Sequence, residues 1–294
     1  MDYNLNNESI RPIKTGLVLE GGGLRGMFTN GILDVFHRNG ITFDGMVGVS
    51  AGAAFGVNYK SRQPGRVLRY NMKYAKDWRY CSLWSLFTTG NLYGAEFGFH
   101  LLPEKLDVFD NEAYEQNPMQ FHLVATDVET GKPVYRRIDQ GGSILYDWIL
   151  ASASMPLVSR VVSIEGMKLL DGGITDSIPL EYFQRQGFDR NVVILTQPST
   201  YQKSPMKAMS LIRRMMHRYP ALVDAWEHRH EMYNRQLLYV AEEAKKGNTL
   251  VLCPEETLPI GRVSHNREKM QQTYHIGRSI ALRRLEEIKA FLTH

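Results

Sequence analysis

The sequence predicts a three-layer α/β/α fold with a mainly parallel central sheet over residues 16–198, followed by a mostly helical extension over 199–294. Three observations predict it. Short apolar runs alternate with helical stretches through the first span, and that alternation builds a parallel sheet covered on both faces. Two of the runs end at glycine-rich corners that lead straight into helices. Composition then changes between Pro198 and Pro205, and helical periodicity dominates beyond it.

The elements follow in chain order. Residues 1–14 are polar and read as a lead-in. Gly16-Leu17-Val18-Leu19-Glu20 reads as a buried parallel strand that runs into Gly21-Gly22-Gly23-Leu24-Arg25-Gly26. Met27, Ile32, Leu33 and Phe36 give the next segment a helical apolar face, and Gly40 is its stop. Met46-Val47-Gly48-Val49 is a second strand, and a small-residue helix starts after Ser50. Residues 61–118 read as helices and loops over one side of the sheet. Their aromatics (Tyr70, Tyr74, Trp78, Tyr80, Trp84, Phe87, Tyr93, Phe97, Phe99) are expected to flank a substrate cleft.

Phe121–Thr126 reads as a strand, turned by Glu129-Thr130-Gly131-Lys132 into Val134-Tyr135. A helix over 145–154 ends before Pro156. A hairpin with its turn at Glu165-Gly166 delivers the chain to Asp171-Gly172-Gly173. A helix near 179–186, a strand over 191–195 and a last strand over 250–252 complete the reading.

Bulk composition bounds the function. The 294 residues are 43% hydrophobic and 22% charged, which supports a sizeable core and excludes wholesale disorder. A net charge of +4 is too mild to imply nucleic-acid binding, and no nucleic-acid partner is expected. The two cysteines, Cys81 and Cys253, lack disulfide-framework or zinc spacing, so no metal is expected. The first residues have no signal-peptide pattern, and no apolar run nears the roughly 20 residues of a membrane span. The expected location is cytoplasmic, with peripheral membrane contact as an option. The sequence sets no oligomeric state.

Three motifs carry chemistry. In Gly48-Val49-Ser50-Ala51-Gly52 the glycines clear a crowded strand–turn–helix corner and expose the serine as a nucleophile. Taken alone, the pattern also describes a tight turn with a buried serine. In Gly21–Gly26 a glycine-rich turn leaves N–H groups open beside a helix start, a setting that binds an anion. That anion is either a phosphate or the oxyanion of a tetrahedral intermediate, and Arg25 adds a positive charge or braces the loop. The same stretch fits a dinucleotide fingerprint, with Asp44 downstream. Asp44 precedes the second strand rather than ending it, which counts against a nucleotide-binding oxidoreductase. Asp171 stands at a strand end before two glycines. It serves there as a general base if burial raises its pKa, or as an ordinary turn residue.

Taken together the chain resembles a patatin-like phospholipase. Gly21-Gly22-Gly23-Leu24-Arg25-Gly26 resembles that family's oxyanion-hole motif. Gly48-Val49-Ser50-Ala51-Gly52 resembles its nucleophile motif, with Gly48 and Gly52 as the elbow glycines. Asp171-Gly172-Gly173 resembles its DG(A/G) motif, and Ala151-Ser152-Ala153-Ser154-Met155-Pro156 the block between the last two. The resemblance implies a Ser50–Asp171 dyad that cleaves fatty-acyl esters of phospholipids or related lipids through an acyl-enzyme. Gly21, Gly22 and Gly23, with Arg25 nearby, would frame the oxyanion hole. It implies no cofactor, and acyl transfer to an alcohol is a close variant.

Two further readings stand beside it. A Ser-His-Asp triad would recruit His217, His228, His230, His265 or His275, although the glycine loop is preceded by Glu20 rather than the usual His. A catalytically idle lipid-binding protein would keep the cleft without turnover. In the extension, Ala208, Leu211, Ile212, Met215, Met216 and Tyr219 form an apolar helical stripe. Lys207, Arg213, Arg214, His217 and Arg218 surround it. That helix either packs on the core or touches anionic lipid. Residues 264–292 carry the same two readings.

Overall fold

A computed structural model describes residues 12–80, 94, 96–207 and 209–293. Trp84, Phe87, Tyr93, Ala208, Cys81 and residues 1–11 of the lead-in lie outside these described residues.

The chain forms an eight-stranded mixed sheet between two layers of helices. Its strands are β1 (Thr15–Leu19), β2 (Gly45–Val49), β3 (Gln120–Asp127), β4 (Pro133–Arg137), β5 (Val162–Ile164), β6 (Met167–Asp171), β7 (Arg190–Ile194) and β8 (Thr249–Leu252). The hydrogen-bonded order is β5-β6-β3-β2-β1-β7-β8, with β4 also paired to β3. β3, β2, β1, β7 and β8 are mutually parallel; β4 and β6 pair antiparallel to β3, and β5 pairs antiparallel to β6. Alternation along the strands explains why both faces are covered. Leu17, Leu19, Met46, Leu123, Val192 and Ile194 enter one core; Val18, Val47, Val124 and Val193 enter the other.

The two hairpins form where their turn residues predict. Glu165 and Gly166 both take positive φ (52° and 80°), the pair a tight two-residue hairpin turn requires.

The helices are α1 (Gly26–Arg38), α2 (Ala51–Lys60), α3 (Arg66–Tyr74), α4 (Asn111–Gln116), α5 (Ser143–Ala153), α6 (Leu180–Arg185), α7 (Met209–Met215), α8 (Pro220–Glu227), α9 (Arg229–Lys245), α10 (Arg267–Arg283) and α11 (Leu285–Thr293). A π-helix, Phe97–Leu106, carries Pro103 within it. Gly40 ends α1 in the left-handed region (φ 64°).

Residues after 198 share this architecture. β8 adds to the parallel sheet beside β7. Helix α9 contributes Tyr233 and Val240 to one core, and α10 contributes Ile280 and Ala281 to the other. Glycines let α10 approach α1 backbone to backbone. A Cβ on Gly31 would lie 2.1 Å from Tyr274 O, and one on Gly277 would lie 2.0 Å from Phe28 O. The apolar stripe expected over 208–219 is broken into the short α7 and a turn. Ile212 is buried, whereas Leu211 and Met215 are exposed.

Candidate active site

Sheet register brings Ser50 and Asp171 together. Val49, the last residue of β2, pairs with Val124 of β3; Asp171, the last of β6, pairs with Ala125, the next residue along. Two strands from distant parts of the sequence therefore stop at neighbouring points of one strand. Ser50 and Asp171 stand at those stops, at the carboxyl end of the parallel sheet, where open α/β sheets form their sites.

Ser50 has φ 54° and ψ −122°, a conformation that L residues adopt only under constraint. Tight backbone packing supplies the constraint. A Cβ on Gly48 would meet Ala53 N at 2.6 Å, and one on Gly52 would meet Leu19 O at 2.5 Å. The Ser50 N–H donates to Ser152 Oγ at 2.9 Å, and Ser152 Oγ donates to Val124 O at 2.6 Å. Ser152 thus ties the corner to β3 from α5.

Asp171 is buried, and its Oδ1 accepts from Gly173 N–H at 2.8 Å. Burial raises its pKa above the usual carboxylate range; the Ser50 hydroxyl, Arg229, the Gly173 N–H and Arg262 each pull it back down. Among the described residues its buried Oδ2 has no full hydrogen-bond partner, so a lone pair stays available. A Cβ on Gly172 would strike Val124 O at 2.1 Å, so only glycine lets this strand end lie so close to β3.

The glycine loop lies against the serine. A Cβ on Gly21 would be 2.9 Å from Ser50 Cβ. Gly23 has φ 57° and opens a single 3-10 turn, Gly23–Arg25. The N–H groups of Gly22 and Gly23 stand at the start of that turn and have no acceptor among the described residues. Arg25 is held beside Gly22, and its buried Nε has no partner among the described residues. Burial lowers its pKa, and Glu20 pushes it back up. Glu20 anchors the loop from below: its carboxyl accepts from Thr196 N–H at 2.6 Å, Thr196 Oγ1 at 3.1 Å and Tyr233 Oη at 2.7 Å.

Ser50, Asp171, Gly21–Gly23 and Arg25 line one cavity of about 440 Å³. Its long wall is apolar and includes Phe55, Tyr70, Phe99, Phe109, Tyr146 and Leu150. Of the aromatics expected to flank a cleft, Tyr70, Tyr80 and Phe99 line it. Tyr74 and Phe97 pack behind them, and Trp78 is exposed. Seven lining residues lie beyond 198, and none was foreseen as a site residue; four of them carry polar groups toward the site, Lys203, Arg229, Tyr233 and Arg262. Arg229 and Tyr233 are four apart on α9, so one helical face carries both.

The other readings meet the same geometry. None of the five triad histidines lines this cavity among the described residues. His217, His228 and His230 each turn a ring nitrogen to a carbonyl three or four residues back, and His265 faces Ala75 O. Asp44 accepts from Thr15 N–H at 2.7 Å and Thr15 Oγ1 at 2.9 Å, at the opposite end of the strands from the glycine loop. Asp44, the acidic residue of the dinucleotide reading, therefore lies away from the glycine loop. Among the described residues no group of three His, Cys, Asp or Glu side chains is placed to hold a metal ion.

A family model described as patatin-like phospholipase matches residues 17–183, and a domain of unknown function (DUF6363) matches residues 219–293. The uncharacterized protein YjjU of Escherichia coli is 29% identical over 292 residues, covering 94% of this chain and 79% of that one. The lysophospholipase nte1 of Aspergillus oryzae is 28% identical over 181 residues, covering 59% of this chain but only 11% of that much longer one. Among solved structures, VipD from Legionella pneumophila aligns with a TM-score of 0.48 at 12% identity, over 94% of this chain and 67% of that one. Human GIVD cytosolic phospholipase A2 aligns at 0.47 and 10%, over 95% and 58%. The first of these matches spans more than half of the sequence and takes in both the glycine loop and the Ser50 and Asp171 corners: the chain belongs to the patatin-like phospholipase family.

Proposed function

We propose that this protein is a serine acyl-ester hydrolase acting on phospholipids or related lipids through a Ser50–Asp171 dyad. The observation that carries the reading is a serine on constrained backbone, beside a buried carboxyl with an open lone pair, at the head of an apolar cavity. Family membership supports the same chemistry.

In this reading the acyl chain lies along the apolar wall and its carbonyl sits between Ser50 and the glycine loop. Ser50 Oγ attacks the carbonyl carbon while Asp171 takes the hydroxyl proton. The negative oxygen of the tetrahedral intermediate is met by the Gly22 and Gly23 N–H groups, with Arg25 adding positive potential. Collapse expels the alcohol, which receives its proton from Asp171. Asp171 then draws a proton from water as the hydroxide adds to the acyl carbonyl, and it returns that proton to Ser50 Oγ as the C–O bond breaks and the fatty acid leaves. Raising the Asp171 pKa by burial makes it a better proton acceptor, while Arg229 keeps enough of it ionised to act. Residues 16–198 supply the reacting groups, and 199–294 supply one wall. Access to lipid is through peripheral contact with an anionic surface, supported by exposed Leu211 and Met215 beside Arg213 and Arg214. Among the described residues no helix is long and apolar enough to cross a membrane.

A fluorophosphonate probe tests the dyad. Wild type is expected to label, Ser50→Ala not at all, and Asp171→Asn at a rate about 10³-fold lower. Equal labelling of the three proteins defeats the mechanism.

A further inference from the structure

The alcohol end of the cavity differs from its acyl end. Beside it lies an alcove of about 150 Å³ lined by Tyr201, Lys203, Trp226, Arg229, His230 and Arg262, among others. Lys203, Met206, Trp226, Arg229 and Arg262 line both spaces, so the alcove opens off the cavity that holds Ser50.

The cations here are positioned deliberately. The Lys203 N–H donates to Asn234 Oδ1 at 2.8 Å, and Asn234 Nδ2 donates to Lys203 O at 3.0 Å. This pair staples the 201–206 loop to α9. Lys203 Nζ lies over the Tyr233 ring at 4.2 Å and the Tyr201 ring at 5.8 Å. Arg229 spends its Nε on Gly173 O and turns the rest of its guanidinium along the cavity wall. Arg262 enters from the segment whose carbonyl accepts from Leu24 N–H at 2.9 Å. The carboxyls that line the cavity are Glu20, already engaged by Thr196 and Tyr233, and Asp171, and Glu231 Oε1 lies 3.9 Å from His230 Nε2. Burial first, and then the neighbouring Arg229 and Arg262, push Lys203 down to about 7, so an anion bound beside it would favour its charged form.

We propose that this alcove is a phosphate subsite, formed by Lys203, Arg229 and Arg262, that holds the phosphate of an acyl glycerophosphate while its acyl chain lies in the apolar cavity. The proposal rests on the lipid-hydrolase reading and names its substrate class. A phosphate oxygen can accept from guanidinium and ammonium together, and its charge offsets the cluster. A cationic headgroup would add like charge beside Lys203, Arg229 and Arg262, and Lys203 already covers the Tyr201 and Tyr233 ring faces that would otherwise receive it. Small anionic headgroups are therefore preferred over choline and over neutral glycerol.

Two measurements test this and keep the two readings separate. Calorimetry on Ser50→Ala protein, which needs no turnover, uses inorganic phosphate and glycerol 3-phosphate as probes. Saturable binding of glycerol 3-phosphate is expected, weakened at least tenfold by Lys203→Met and by Arg262→Gln in proteins with unchanged melting temperature. Hydrolysis by otherwise wild-type protein then compares lysophosphatidic acid with monoacylglycerol of the same chain. A kcat/KM ratio of ten or more is expected, falling toward one in the two variants. Absent binding together with equal turnover of both esters overturns the subsite and leaves the hydrolase reading intact. Binding without hydrolysis of any lipid ester overturns the hydrolase reading instead, and with it the substrate role of the alcove. Binding of inorganic phosphate as tight as glycerol 3-phosphate, with a turnover ratio of one, assigns the alcove to free phosphate and overturns the headgroup proposal.

Discussion

The site has a floor and a wall, and they are made differently. The floor joins Gly21–Gly23, Gly48–Gly52 and Asp171–Gly173, and it is held by backbone packed against backbone. The wall joins Lys203, Arg229, Tyr233 and Arg262, and it is held by side chains reaching across buried space. A floor of this kind tolerates almost no added volume. A wall of this kind tolerates shape change but depends on each polar partner being present. Substitutions in the two regions should therefore fail in different ways.

The largest effect belongs to the floor. Gly52→Ala places a methyl group 2.5 Å from Leu19 O and 2.8 Å from Glu20 O, both backbone atoms next to the glycine loop. Relief requires moving β1 or the Ser50 corner. Stability should fall by about 3 kcal/mol, the upper range for overpacking, and turnover should be lost in whatever still folds. Urea unfolding and probe labelling read the two effects. Near-normal stability with normal labelling would show that the floor is softer than its contacts imply.

The wall should give way by less. Tyr233→Phe removes one hydroxyl, the donor to Glu20 Oε1 at 2.7 Å, in a buried setting. Leaving that carboxyl oxygen without its partner should lower stability by about 2 kcal/mol. Because Glu20 also holds Thr196 below the glycine loop, labelling should slow while binding of substrate changes little. A melting temperature equal to wild type would separate Glu20 from the wall.

Arg229→Met tests where wall meets floor. Arg229 lowers the pKa of Asp171, which burial raises. A base acts when deprotonated, so the rate should rise with pH through the Asp171 pKa. Without the guanidinium that pKa rises further, and the acidic limb of kcat/KM should move to higher pH. An unmoved limb with a lowered plateau would make Arg229 a packing residue.

The floor was legible in the sequence and the wall was not, and the reason is physical. Close backbone approach requires glycine, so the corners at Gly21, Gly48, Gly52 and Gly172 leave a mark in the residues themselves. Strand alternation likewise marks which face each residue covers, and β1, β2, β3 and β7 form where their apolar runs predict. Nothing local marks Lys203, Arg229 or Arg262. Each is one basic residue among 35, and only the docking of α9 and the 260–263 segment selects it. The four-residue spacing of Arg229 and Tyr233 was the one readable hint. The stripe over 208–219 divides for the converse reason: helical spacing was present, but Ile212 enters a core with Met216 and Tyr219 packed against it, while Leu211 and Met215 stay exposed.

Ser152 belongs to neither region and gives the finest test of how they divide the work. It sits at the end of α5, accepts the Ser50 N–H at 2.9 Å and passes its own proton to Val124 O at 2.6 Å. If the glycine floor alone fixes the Ser50 conformation, Ser152→Ala should lower stability by about 1 kcal/mol, the worth of one neutral hydrogen bond, and leave turnover alone. The geometry favours a second effect. With φ at 54°, Ser50 is held against its own preference, and the N–H acceptor is part of what holds it. Loss of Ser152 Oγ should let the corner relax, so kcat should fall about tenfold with KM nearly unchanged. Ser152→Thr keeps the hydroxyl and should recover most of that rate wherever its extra methyl fits. A fall in melting temperature without a fall in kcat would return the whole constraint on Ser50 to the glycines.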